Sequence, residues 1–422
     1  MKVLFVTNDA LAAQMAGPAV RCLELAKVLS KHHEVTIATG LPSKLAPEGI
    51  RILEDAAHQT GELKAAAKAS DIVISQGLVL ARFPFLSKLA KHLVIDLYDA
   101  YLLEYLAHTH PEHPQWGYLR QWYRLNEQML EGDYFLCSSE QQWDYWLGRL
   151  CALGRLNPEE HKRDASFRSL LGIVPFGLPA QPPVRTENVL RGIVPGVGSK
   201  DFLLLWAGGL WQWLDPLTVI RAVYEVAKQR PNVRLVFLGA HDPNPNNRPM
   251  SKADESLSLA RELHLLDKYV FFYPVWAPYE QRHNFLLEAD IGISAHPASV
   301  ESRFAFRTRV LDYIWAGLPM ILSQGDYFGD FVVRERVGPA LPPGDVMAWK
   351  DAILALVENP DLRQEMHSRL QALAPRFQWE KVAAPLLEYC NQPYNTHRAS
   401  KLRHKIVPFL SSGYDMTKRF RK

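Results

Sequence analysis

Two successive series of short apolar runs, each interleaved with stretches of helical period, constrain the fold more than any other feature. The first series reads KVLFVTN from Lys2, EVTIAT from Glu34, GIRIL from Gly49, DIVISQ from Asp71 and HLVIDLYD from His92. Between the first two, Val20, Leu23, Leu25, Ala26 and Leu29 recur at helical spacing after Gly17-Pro18. From Gln115 to Leu153 the pattern is helical and aromatic, broken at Asp133–Ser139 by one more strand-like run. The second series is Phe202–Ala207, Val233–Gly239, Val270–Tyr273, Ile291–Ser294 and Met320–Ser323. Helical patterns cover Pro216–Gln229, Tyr279–Leu287, Val310–Ala316, Ala348–Val357, Pro360–Ala374 and Gln378–Tyr389. Alternation of this kind fits parallel sheets with helices on both faces, because a parallel crossover needs a helix-length connection. The intervening segment carries Pro175, Pro179, Pro182 and Pro183, cannot continue a helix, and reads as a linker. A chain of 422 residues exceeds one ordinary core. The expected division is 1–175, a linker at 176–200, a second α/β domain at 201–376, and a terminal helix with a tail at 377–422.

Composition bounds the setting. Hydrophobic content of 48% and charged content of 22% are those of a globular protein. The start, MKVLFVTNDA, has no signal-peptide pattern, and no window reaches the roughly 18 apolar residues of a membrane span. Cys22, Cys137, Cys151 and Cys390 form no C-x-x-C pair and read as reduced thiols in a cytoplasmic protein. From His397 onward, Arg398, Lys401, Arg403, Lys405, Lys418, Arg419, Arg421 and Lys422 face a single acid, Asp415. This +7 end within a chain of net charge +3 leaves a mildly acidic body at −4. The tail, interleaved with Ile406, Val407, Phe409, Leu410, Tyr414 and Phe420, suits either an anionic membrane surface at the inner face or free solution. A nucleic-acid partner is not expected, since the body has no basic excess.

The chemistry concentrates in Val300–Leu322, VESRFAFRTRVLDYIWAGLPMIL, which follows the strand Ile291–Ser294. Strand, charged loop and helix in this order place Glu301, Arg307 and Arg309 at the carboxyl edge of a sheet. Arginine forks match phosphate oxygens, and a helix start adds positive potential, so a diphosphate is a suitable ligand. Residues two apart share a direction only in extended chain. Either Arg307 and Arg309 both grip phosphate, or one does while the other pairs with an acid such as Asp290 or Glu301. The amides of Phe304, Ala305 and Phe306 and the glycine turns at Gly17 and Gly208-Gly209 are further candidates for phosphate oxygens, since glycine lets the backbone approach closely. No D-x-D pair stands in a strand-end loop, so no metal and no bound cofactor is expected. His108, His110 and His113 lie in a proline-bearing loop without a cysteine partner, which disfavours zinc. Gly192, Gly196 and Gly198 lack the dinucleotide-binding spacing. The run Asp242–Pro249 either lines the cleft or merely connects. Trp116, Trp122, Trp143 and Trp146 either pack helices or line a groove.

Val174-Pro175-Phe176-Gly177, Gly208-Gly209, Ala289–Ser294, Ala316-Gly317-Leu318-Pro319 and a terminal helix after Phe377-Gln378-Trp379-Glu380 occur in an order that resembles the GT-B glycosyltransferases, more narrowly their GT4-type members. The resemblance implies two Rossmann-like, doubly wound parallel-sheet domains facing a central cleft. It also implies transfer, with retention, of a sugar from a nucleotide-diphosphate sugar to a glycan or lipid-linked acceptor. By that resemblance Glu301 would accept from the donor sugar's hydroxyls, and Asp312 from the ribose. The Pro274-Val275-Trp276 turn would hold the base, and Asp99 or Asp96 would orient the acceptor hydroxyl. For each of these, a structural role in an ion pair, a helix end, a loop or the core is the alternative. The chain departs from the family where Phe304 stands eight before Asp312 in place of an acid. It departs again where Leu210–Asp215 carries no cation and where Ile95–Asp99 carries no histidine. Those departures keep two other readings open: a nucleotide-sugar-binding protein without turnover, and a GT-B-like nucleotide-sugar epimerase.

Overall fold

A computed structural model describes residues 1–107, 114–239 and 251–396. The histidine-bearing loop His108–His113, the run Asp242–Pro249 and the basic tail from His397 lie outside the described residues.

The first series forms a seven-stranded sheet from β1 (Lys2–Thr7), β2 (Glu34–Thr39), β3 (Ile50–Leu53), β4 (Ile72–Gln76), β5 (His92–Asp96), β6 (Tyr134–Cys137) and β7 (Leu171–Ile173), in the order 3-2-1-4-5-6-7. The second forms a six-stranded sheet from β8 (Phe202–Trp206), β9 (Val233–Phe237), β10 (Val270–Phe272), β11 (Ile291–Ser294), β12 (Met320–Ser323) and β13 (Ala340–Leu341), in the order 10-9-8-11-12-13. Every strand pair is parallel. Central strands such as β4, β8 and β11 are buried along their whole length, as strands covered by helices on both faces must be. In each sheet the order reverses beside the first strand, β1 or β8, and there the carboxyl ends open a crevice.

Local chemistry sets the helix limits that matter for this crevice. Asp215 caps the Pro216–Ala227 helix through the amide of Thr218, with proline in the first turn. The Arg309–Ala316 helix stops at Gly317, which adopts φ 63° and lets its N–H reach back to Tyr313 and Ile314. The same helix is pinned to the sheet by Tyr313. Its hydroxyl oxygen lies 3.0 Å from both the Ala207 amide and the Leu205 carbonyl, and 2.9 Å from the Ile293 carbonyl. The ring covers Gly292, where a Cβ would come within 2.6 Å of it. The expected helix Tyr279–Leu287 divides into a 3₁₀ turn, Tyr279–Gln281, and a helix, Arg282–Glu288, after Pro278.

The chain returns to the first domain at its end. The Trp379–Val382 helix packs against the Gly17–Ser30 helix, and the Ala384–Asn391 helix against β7. Lys31 meets Glu380 at 2.8 Å, and Tyr389 stacks on Tyr134 at 4.5 Å. Segment 184–191 is bound to the second domain, where Glu288 accepts the amides of Val189, Leu190 and Arg191. Cys22, Cys137 and Cys390 are buried thiols, whereas Cys151 is exposed.

Candidate active site in the interdomain cleft

The two crevices face each other across a cavity of about 160 Å³ lined by Gly17 and Phe176 from one side and by Gly208, Gly209, Trp276, Thr308, Arg309 and Asp312 from the other. The domains touch at its rim. Tyr279 N–H donates to Ala13 O at 2.8 Å, Trp276 Nε1 to Met15 O at 3.2 Å, and Gln14 Nε2 to Trp276 O at 2.9 Å. Gly17 opens a fourteen-residue helix toward the cavity. Gly208 holds φ 105°, a conformation only glycine adopts without strain.

Three charged side chains line the cavity, Arg282, Arg309 and Asp312, and of these Arg309 has a buried nitrogen left unpaired among the described residues. Arg309 is buried, its Nη2 donates to Gly209 O at 2.8 Å, and its guanidinium lies 4.8 Å from the centre of the Trp206 ring. Nη1 is buried with no hydrogen-bond partner among the described residues. Burial pulls its pKa down to about 10, so it stays cationic at neutral pH. Asp312 lines the same cavity and receives Arg282 Nε at 2.9 Å. Arg282 in turn lies over the rings of Tyr279 (3.8 Å) and Trp315 (4.6 Å).

A second polar cluster sits where the Tyr101–Ala107 helix, which follows β5, meets the Val300–Phe304 helix. Glu301 is buried; its Oε2 accepts from Arg307 Nη2 at 2.8 Å, and its Oε1 has no partner among the described residues. Asp326 follows, 3.9 Å from Arg307 Nε and 3.3 Å from His296 Nε2. Asp99, half-buried after β5, has its carboxyl pushed up to about 7 by burial and then by the charge of Glu301, against the pull of Arg307 and Arg21. Glu104 is likewise raised, by burial and by Asp99 and Glu301. Three carboxyls sharing one nearby guanidinium cannot all ionise without cost, which is how a protein holds a carboxyl near neutrality.

The residues singled out by sequence separate into these two places. Gly17, Gly208, Gly209, Arg309 and Asp312 line the cavity, and Asp99, Glu301 and Arg307 form the acidic cluster. The two guanidiniums do not lie side by side on one anion, because Arg309 begins a helix while Arg307 is engaged by Glu301. Asp290 is taken by Arg191 instead, at 2.6 Å. Phe304 and Ala305 do not line the cavity. The Ala305 amide closes its own helix on Ser302 O, and the Phe304 carbonyl accepts from Gln142 Nε2 at 3.0 Å. Val275 points away, 52% exposed, and Trp276 and Ala277 take its place at the cavity wall. Asp96 is a structural residue: Arg21 holds it with two bonds, 2.7 and 2.9 Å, and both are buried. Of the four tryptophans, Trp146 is core and Trp143 is half-buried with its Nε1 on Leu171 O, whereas Trp116 and Trp122 are exposed. Glu104, Arg282, His296 and Asp326 escaped the sequence reading. An acid inside the apolar run YLLEYLA was the available signal for Glu104.

Residues 195–372 match the family model described as glycosyl transferases group 1. A D-inositol 3-phosphate glycosyltransferase of Corynebacterium urealyticum is 24% identical over 220 residues, 52% of this chain and 49% of its own length. A protein of the same description from Saccharomonospora viridis is 24% identical over 209 residues, 49% of this chain and 46% of its own length. The chain spans about half the length of the curated relatives it matches. Among solved structures, Anabaena HepE in complex with UDP-glucose superimposes with a TM-score of 0.68 at 16% identity, covering 93% of this chain and 99% of that one. WaaG, a glycosyltransferase involved in lipopolysaccharide biosynthesis, gives 0.65 at 15% identity, over 92% and 100%. Sucrose-phosphate synthase from Thermosynechococcus elongatus gives 0.63 at 14% identity, over 93% and 98%. At such identities the likeness establishes the fold, which is GT-B.

Proposed function

From a GT-B frame whose second domain belongs to the group 1 glycosyl transferases, we propose that this chain moves a sugar from a nucleoside-diphosphate sugar to a glycan or lipid-linked acceptor. The observation that carries the reading is the unpaired Nη1 of buried Arg309 on the wall shared by Gly17, Gly208 and Gly209. Negative charge builds on the leaving diphosphate as the glycosidic C–O bond breaks. A desolvated guanidinium and the start of the Gly17–Ser30 helix meet that charge without reorganising. Arg309 is fixed in advance by Gly209 and Trp206, so little entropy is lost when phosphate arrives.

In this reading Asp312, steadied by Arg282, faces the ribose hydroxyls. Glu301 offers Oε1 to the donor sugar while Arg307 holds Oε2. Asp99, poised near neutrality, accepts a hydrogen bond or a proton from the attacking hydroxyl. Transfer with retention and without a metal ion belongs to the same proposal, the guanidinium taking the part a divalent cation plays elsewhere. HepE binds UDP-glucose and WaaG serves lipopolysaccharide synthesis, which favours a nucleotide-sugar donor and a glycan acceptor here. The missing cation in Leu210–Asp215 favours a second reading, donor binding without turnover.

The purified chain should transfer sugar from, or slowly hydrolyse, at least one of a panel of UDP-, GDP-, dTDP- and ADP-sugars in the presence of a chelator. Nucleotide binding with no turnover under any acceptor supports the second reading. Interconversion of the donor sugar without an acceptor, seen by NMR, makes the protein an epimerase.

A further inference from the structure

Four large apolar side chains on the Pro114–Glu131 helix, Trp116, Leu119, Trp122 and Tyr123, are 41 to 62% exposed. At 100° per residue, Trp116, Leu119, Arg120, Tyr123, Glu127 and Glu131 fall within an arc of about 120°. Leu125, Gln128 and Met129 are buried on the opposite side. Read from the helix's carboxyl end, the outer face begins with acid, Glu131 and Glu127, and continues as an aromatic stretch that contains Arg120.

The chain leaves the first domain at that same carboxyl end. Buried Arg155 donates from Nη1 to Met129 O at 2.6 Å, and from Nη2 to Gly132 O at 2.8 Å and Thr396 Oγ1 at 2.7 Å. Thr396 is buried too, its hydroxyl donating to Asp133 O at 2.9 Å. Arg163 Nη2 donates to Asn395 O at 3.2 Å, and its guanidinium lies 4.7 Å from the centre of the Tyr394 ring. The segment that begins at His397 therefore departs beside the acid end of the face.

We infer that this face is the docking surface for the chain's own segment 397–415, running antiparallel to the helix toward Trp116. The order of residues on the two matches. From Thr396 the segment carries Arg398, Lys401, Arg403 and Lys405, then Ile406, Val407, Phe409 and Leu410, then a single acid, Asp415. Laid along the helix, its bases meet Glu131 and Glu127, its apolar run meets Tyr123, Leu119 and Trp116, and Asp415 is left for Arg120. The lengths agree. Glu131 to Trp116 spans about 22 Å at 1.5 Å per residue, and the chain from Thr396 to Ile406 can reach about 33 Å. Surface ion pairs contribute little each, so the apolar run supplies the affinity and the charges set the direction. Tethering favours this occupant over a second copy, because a segment fixed at Thr396 meets the face at a roughly millimolar effective concentration. Glu127 and Glu131 would repel an anionic bilayer.

Hydroxyl-radical footprinting of the full chain at micromolar concentration, without vesicles or nucleotide, reads the cover on Trp116 and Tyr123. Both should be protected in the wild type. Val407→Ser/Phe409→Ser should shift the docking equilibrium toward the open form about tenfold or more and raise their labelling. Glu127→Lys/Glu131→Lys should uncover them too, and adding Lys401→Glu/Lys405→Glu should restore the cover. A carbodiimide should join Glu127 or Glu131 to Lys401 or Lys405 within one wild-type chain, at a yield that dilution leaves unchanged. Equal labelling of Trp116 and Tyr123 in the wild type and in Val407→Ser/Phe409→Ser overturns the inference. Cross-links between two chains assign the face to a second copy, and protection that appears only with phosphatidylglycerol vesicles assigns it to a bilayer; either also overturns it. Nucleotide titration of the same preparation reports separately on the transfer reading, on which this inference does not rest.

Discussion

Replacing Arg309 by alanine isolates the cation on which the donor site turns. In the free protein its Nη2 serves Gly209 O at 2.8 Å, and Nη1 is buried without a partner. A diphosphate oxygen at Nη1 would complete a charge-assisted hydrogen bond, worth about 1.5–3 kcal/mol when one partner is charged. At about 1.4 kcal/mol per decade, its loss should lower donor affinity or kcat/KM between roughly tenfold and 150-fold. Stability changes less simply. Gly209 O loses its shorter bond and keeps only Trp206 Nε1 at 3.4 Å, a cost of up to about 1–3 kcal/mol, while an incompletely paired buried cation disappears. Arg309→Lys keeps the charge but cannot reach Gly209 O and phosphate with a rigid fork, so it should fall between wild type and alanine. Calorimetric titration with nucleoside diphosphates, steady-state kinetics and a melting curve on each variant separate these effects. A folded Arg309→Ala protein with wild-type donor affinity and turnover would mean that Arg309 does not hold the donor.

Arg307→Ala should act first on stability, because it leaves buried Glu301 without its guanidinium; breaking such a pair costs about 3–5 kcal/mol, and Arg307→Ala/Glu301→Gln should recover part of the lost melting temperature. Asp99 governs two pH profiles. If its carboxylate accepts the acceptor's proton, kcat/KM should rise as pH passes through about 7, and Asp99→Asn should lower the rate and flatten the profile. Its folded pKa of about 7 stands above the ordinary 3.8, so the folded state keeps a proton the unfolded chain has lost. Stability should therefore fall as pH rises between those two values, and Asp99→Asn should reduce that slope in denaturant melts at several pH values. Gly208→Ala forces a side chain into φ 105° and should destabilise the second domain by about 1–3 kcal/mol while weakening nucleotide binding, both visible in the same titrations and melts.

The architecture was legible because strands buried on both faces write continuous apolar runs, and each run in β1, β4, β8 and β11 is bounded by polar or glycine residues. The stop at Gly317-Leu318-Pro319 was equally plain, since a left-handed C-cap followed by proline has few other uses. The site was legible by location and only partly by role. Sequence placed Arg307 and Arg309 in one loop, but which guanidinium meets a carboxylate depends on where the Val300–Phe304 helix ends and the next begins. Arg307 still lies in the non-helical stretch 305–307 and turns toward Glu301, whereas Arg309 opens the next helix after Thr308 and turns toward Gly209. Glu104 and Asp326 are harder to read because the groups acting on them lie far off in sequence, Glu301 for Glu104 and Arg307 and His296 for Asp326, and no local spacing announces such contacts. Trp116 and Trp122 show the opposite failure, since helical spacing of aromatics reads as core whether the face meets protein or not.

A crystal structure with a bound nucleoside diphosphate decides whether Arg309 holds the donor. A phosphate oxygen should lie within about 3 Å of Arg309 Nη1, beside Gly17 and Gly208, with Arg307 still on Glu301. A diphosphate bound elsewhere, or held there through a divalent cation with Arg309 turned away, would contradict that placement.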